Sequence, residues 1–125
     1  MGKFYNVILC DDIREEIGNK KSLMGIFGGD VLVPRFPAQL RLAIFFQYLP
    51  EPNESGPTLI AFRLLQDEEE IAQGRIEATV QDSQPAGFVL PKAMIGFEKE
   101  TALRMLASVN GGTEEEILNK KIRQV

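Results

Sequence analysis

The stretch AQLRLAIFFQYL, residues 38–49, decides the fold. Leu40, Leu42, Ile44, Phe46 and Tyr48 recur at every second position, and Arg41, Ala43, Phe45 and Gln47 fill the alternate places. A period of two is the mark of an extended strand with one face on a core. The second face also carries apolar surface, at Ala43 and Phe45. That pattern fits a central strand whose outer face is partly covered, as by a neighbouring subunit.

Both flanks break the ladder. PRFP, 34–37, cannot lie inside a strand, because proline has no N–H to donate. EPNESGP, 51–57, is a polar loop with two prolines and a glycine. TLIAFRLLQ, 58–66, is the next strand; DEEE turns the chain, and EIAQGRIEATV, 70–80, returns. There Ile76, Ala78 and Val80 alternate with Arg75, Glu77 and Thr79, so one face should be wet. QDSQPAG is a second polar loop. GFVLPKAMIGF, 87–97, holds one charge in eleven residues and reads as a strand broken at Pro91.

The segment 98–109, EKETALRMLASV, fits a helical face through Ala102, Met105, Leu106 and Val109. It also alternates as Thr101, Leu103, Met105, Ala107 and Val109. An internal similarity favours the strand. AFRLL (61–65) resembles ALRML (102–106), and EEEIAQGRI (68–76) resembles EEEILNKKI (114–122). Each copy reads as strand, acidic turn, strand.

At the N-terminus, FYNVILC (4–10) and KKSLMGIFG (20–28) flank Gly18-Asn19, which can take the positive φ of a two-residue hairpin turn. With those two residues as the loop, Glu16 faces Lys21 and Ile13 faces Met24. The whole pattern predicts an all-β chain: an antiparallel β-sandwich of about seven to nine strands, immunoglobulin-like or C2-like, in a single domain over 1–125.

Composition narrows the chemistry. The 125 residues are 44% hydrophobic and 26% charged, with a formal net charge of −4. An acidic balance argues against non-specific nucleic-acid binding, where Lys and Arg must displace counterions. There is no His, which removes imidazole as base, metal ligand or pH switch and excludes Ser-His-Asp and Cys-His catalysis within the chain. Cys10 alone cannot form an internal disulfide, which fits a reducing compartment. The apolar run after Lys3 is too short for a membrane span or a signal peptide, so the expected location is cytoplasmic, with no membrane partner.

Several residues invite a chemical reading. Asp11, Asp12 and Asp30 could supply oxygens to Ca²⁺ or Mg²⁺. Neighbours on a strand point to opposite faces, however, so Asp11 and Asp12 converge only across a bulge; the plainer reading is an edge or bulge with a carboxylate on backbone N–H. Cys10 is followed by two aspartates, which raise a thiol pKa and fit an inert, packed cysteine. Gly25, Gly28 and Gly29 match no phosphate-loop motif and read as bends. The runs 68–70 and 114–116 read as solvated turns.

Cys10-Asp11-Asp12-Ile13-Arg14, Lys21-Ser22-Leu23-Met24-Gly25-Ile26, Gly28-Gly29-Asp30 and Pro34…Pro37 together resemble a bacterial family of small single-domain proteins catalogued as a domain of unknown function. The likeness is strongest over residues 5–45. It implies a small β-sandwich and carries over no activity, cofactor or catalytic residue. The expected function is a non-catalytic protein-binding module with no cofactor. It would engage an unknown protein partner or self-associate as a homodimer, with Phe45 and Phe88 as the contact residues. The alternative is a small-ligand or divalent-metal binder using Asp11, Asp12 and Asp30. A hydrolase ranks last, for want of His or a placed carboxylate pair.

Overall fold

The computed structural model describes residues 2–125, and every described element is a strand. In chain order they are β1 (Lys3–Cys10), β2 (Asp12–Glu16), β3 (Lys20–Met24), β4 (Val31–Val33), β5 (Ala38–Leu49), β6 (Gly56–Gln66), β7 (Glu69–Val80), β8 (Ala86–Phe97), β9 (Thr101–Val109) and β10 (Glu115–Gln124). They form a three-stranded sheet in the order β1-β5-β8, a five-stranded sheet β4-β10-β9-β6-β7, and a ribbon β2-β3. All pairs are antiparallel except β4 with β10.

The alternation of β5 sets the layers. Leu42, Ile44, Phe46 and Tyr48 are buried, and Leu9 and Phe97 join them from the flanking strands. Facing them are Ile60 and Leu64 of β6, Leu103 and Met105 of β9, and Leu118 and Ile122 of β10. Both sheets therefore line one core, and the fold is all-β and sandwich-like. Within the segment 98–109, Thr101–Val109 is a strand and 98–100 lead into it. Thr101, Leu103, Met105, Ala107 and Val109 are all buried, the face that the strand reading assigns inward.

Ten strands exceed the expected seven to nine for two reasons. The first strand divides at Asp11, whose N–H donates to the carbonyls of Met24 (2.9 Å) and Gly25 (3.2 Å), so β2 leaves the sheet. A short β4 then pairs with the end of β10. The hairpin register also differs from the two-residue expectation. Glu16 faces Lys20, Glu15 faces Lys21 and Ile13 faces Leu23, a slip of one residue. Gly18 and Asn19 do take positive φ (91° and 56°), but Ile17, 96% exposed, belongs to the loop as well. The ion pair is therefore Glu15–Lys21 at 3.6 Å, while Glu16 accepts from the Ser22 hydroxyl at 2.7 Å.

Pro91 bends β8 without ending it. Leu42 faces Ala93 and Ile44 faces Leu90, so two residues of β8 oppose one of β5. A bulge on an edge strand is where a missing N–H is tolerated.

The internal similarity is a pseudo-two-fold axis between β6 and β9. Arg63 faces Leu106 and Leu65 faces Arg104, pairs that exchange when 61–65 is laid on 102–106. The bulges correspond too: Ile71 is extruded from β7 and Ile117 from β10, and both pack on the core. Each end of the β6–β9 ladder is closed alike. Asp67 and Asn110, at φ 52° and 51°, accept through Oδ1 from Ala102 and Leu59 N–H and donate their own N–H to the same residues.

Candidate interaction surface

The outer face of the three-stranded sheet is built by the alternate residues of β1, β5 and β8. Ile8, Phe45 and Val89 lie opposite one another across the three strands. All three are half-buried, and none belongs to the core. Tyr5, Leu49 and Met94 extend the same face, with Met94 59% exposed. Gly87 leaves space beside Phe45, whose ring passes 3.4 Å from the place a Cβ would take.

The β2-β3 ribbon roofs one end of this face. Cys10 and Ala43 lie beneath it and are fully buried. The Cys10 thiol donates toward the carbonyls of Asp12 (3.5 Å) and Ala43 (3.7 Å). Burial, and then the adjacent aspartates, push the thiol above its ordinary pKa. An ion pair between Asp12 and Lys92, 3.5 Å, ties the ribbon to β8. On the same face the Ile8–Phe45–Val89 row is partly exposed.

The two expected contact residues part company. Phe45 points outward. Phe88 points inward, packing on Phe46 with ring centroids 5.3 Å apart, because it pairs with a core residue of β5. Its place beside Phe45 is taken by Val89, the next residue of the same apolar run, and Ile8 completes the row from β1; Ile8 did not stand out in sequence.

The three aspartates are separately engaged. Asp12 accepts from Ile13 N–H (2.8 Å) and pairs with Lys92; Asp30 pairs with Arg123 (3.2 Å); the Asp11 carboxylate lies against Gly25. Among the described residues no group of three or more His, Cys, Asp or Glu is placed to hold a metal ion.

The acidic runs are more than solvated turns. Arg63 binds Glu114 through Nε (2.7 Å) and one terminal nitrogen (2.8 Å), and Glu70 at 3.2 Å. Arg104 binds Glu116 at 2.5 Å and Glu68 at 3.6 Å. Each arginine thus takes one carboxylate from each run, which follows from the pseudo-symmetry. These pairs hold Glu114 and Glu116 below the usual carboxylate range.

The two polar loops also meet. Asp82 accepts from Ser55 Oγ (2.7 Å) and Asn53 N–H (3.2 Å), and Ser83 N–H donates to the Pro50 carbonyl (3.1 Å). The buried Tyr48 hydroxyl donates to Glu54 and accepts from Gly2 N–H at 3.0 Å. Burial and that carboxylate push its pKa up to about 12. Among the described residues no helix is long and apolar enough to cross a membrane.

Scanned against family models the chain matches none, and a search of curated proteins returned no match.

Proposed function

We propose that this protein is a non-catalytic binding module whose contact surface is the open part of the outer face around Phe45. The observation that carries the reading is the Ile8–Phe45–Val89 row: three partly exposed apolar side chains from three strands, in register on the outer face. Aromatic and aliphatic anchors at the centre of a patch supply most of the energy of a protein contact. Lys3 and Arg41 flank the row on the same face, and neither is in an ion pair among the described residues. The occupant that fits is a protein surface with an apolar centre and an acidic rim.

The test compares wild-type and Phe45→Glu baits in native extract, by quantitative mass spectrometry, with urea midpoints measured on both. A protein retained by the wild type, lost by Phe45→Glu and weakened by Arg41→Glu supports the reading, provided the variants stay folded. Identical retention by all three baits refutes it.

A further inference from the structure

We propose that the free edge of β7 pairs antiparallel with β7 of a second copy, joining two five-stranded sheets into one across a two-fold axis at Ile76. The inference is independent of the Phe45 surface.

An unpaired strand edge is a template for another strand, and proteins commonly blunt it with proline, a bulge or brevity. Three of the four edges of the two larger sheets are blunted. β1 carries a bulge at Asn6, where φ is 49°; β8 carries the Pro91 bulge; β4 has three residues. β7 pairs only with β6, and from Ala72 to Val80 its ladder is regular, with no proline.

The pseudo-two-fold supplies a second argument. Ile76 of β7 corresponds to Ile122 of β10 in the repeat. The edge of β10 at Ile122 accepts a strand, since Ile122, Arg123 and Gln124 pair with Val31, Leu32 and Val33. The corresponding edge of β7 is vacant.

Charge selects the occupant. Along β7, Ala72, Gly74, Ile76, Ala78 and Val80 share the inner face, and Gln73, Arg75, Glu77 and Thr79 share the outer one. An antiparallel pair that keeps both faces aligned must be centred on a residue. Centring on Arg75 or Glu77 sets like charges opposite. Centring on Ile76 sets Arg75 opposite Glu77 of the second copy, twice over, with Gln73 opposite Thr79 and Ala72 opposite Val80. Arg75 and Glu77 have no hydrogen bond or ion pair of their own among the described residues, so both are available.

Multi-angle light scattering across a concentration series tests this, with the chain mass of 14.0 kDa as the unit. The wild type is expected at twice that mass. Glu77→Arg places arginines opposite one another in both pairs and should raise the dimer dissociation constant roughly tenfold to a hundredfold. The exchanged variant Arg75→Glu/Glu77→Arg restores complementarity and should restore the dimer. Both sites are exposed, so folding is not at stake. A wild type at 14.0 kDa throughout, a dimer indifferent to Glu77→Arg, or an exchanged variant no better than the single one overturns the proposal. So does a dimer that Phe45→Glu abolishes and Glu77→Arg leaves intact.

Discussion

Phe45 and Phe46 are neighbours in sequence with identical side chains, and replacing each by alanine should give unequal losses of stability. Phe46 is 0% exposed and lies between the rings of Phe4 (centroids 5.9 Å) and Phe88 (5.3 Å). Truncating a buried phenylalanine costs about 3–5 kcal/mol through lost transfer energy and the cavity left behind. Two ring contacts, each about 0.5–1.5 kcal/mol beyond area, push the figure toward the upper end. Phe45 is partly exposed with most of its surface buried, so Phe45→Ala forfeits the larger part of the 1.5–3 kcal/mol of a fully buried side chain, or about 1–2 kcal/mol. Urea unfolding followed by far-ultraviolet circular dichroism reads both. With a slope of about 2 kcal/mol per molar, the midpoint should fall by roughly 2 M for Phe46→Ala and roughly 0.5–1 M for Phe45→Ala. Equal midpoints for the two variants, or a larger fall for Phe45→Ala, would mean that β5 does not present these faces and that the outer patch is core.

Three other outcomes follow from local geometry. Cys10 is fully buried with its thiol pKa raised by burial, so a thiol reagent should modify the native protein no faster than it unfolds; rapid stoichiometric labelling would contradict the ribbon as a roof. Gly25 has φ +68°, and a Cβ there would overlap the Asp11 carboxylate, whereas a Cβ on Gly28 meets nothing within 4 Å. Gly25→Ala should therefore lose more than about 1 kcal/mol, and Gly28→Ala should stay within about 0.5 kcal/mol of wild type; similar melting curves for both would remove the steric argument. Asp67, Asp82, Glu114 and Glu116 are all held below their ordinary values of 3.8 and 4.5, by Ala102 N–H, the Ser55 hydroxyl, Arg63 and Arg104 respectively. A depressed carboxylate contributes stability that is fully present above its unfolded pKa and is lost as pH falls through its folded one. Stability should be flat at neutral pH and decline once pH drops below those ordinary values, and Asp82→Asn should make the decline shallower; an acid limb unchanged by Asp82→Asn would exclude that loop bridge.

The faces of β5 and β7 were legible because alternation is a local property, readable without knowing any partner; β9 fits a helical face equally well, and only its likeness to 61–65 favoured the strand. Phe88 was not. The run GFVLPKAMIGF is apolar at both parities, so nothing in it separates inside from outside. Its orientation is fixed by pairing with Phe46, 42 positions away in sequence, and by the bulge at Pro91. The hairpin slip has a similar origin. Ile17 is apolar and reads as strand, yet the loop takes it, and one residue of slip changes every cross-strand partner. The row Ile8–Phe45–Val89 draws one residue from each of three distant segments, so no window of sequence contains it.

The repeat shows the limit of sequence more sharply, because its meaning lies in where the copies differ. Laying 68–76 on 114–122 places Gly74 on Lys120. In the first copy the absence of a side chain at Gly74 lets the ring of Phe62 lie across the strand pair, since a Cβ would come within 2.6 Å of it. In the second copy Lys120 fills that place and donates through Nζ to the Phe27 carbonyl at 3.0 Å. That bond holds the segment leading into β4 against β10, four residues before β4 begins to pair there. β7 has no equivalent arm with which to recruit a strand from its own chain. Among the positions where the two halves differ, the exchange of Gly74 for Lys120 thus separates an edge that is closed from within from an edge that can be closed only from outside.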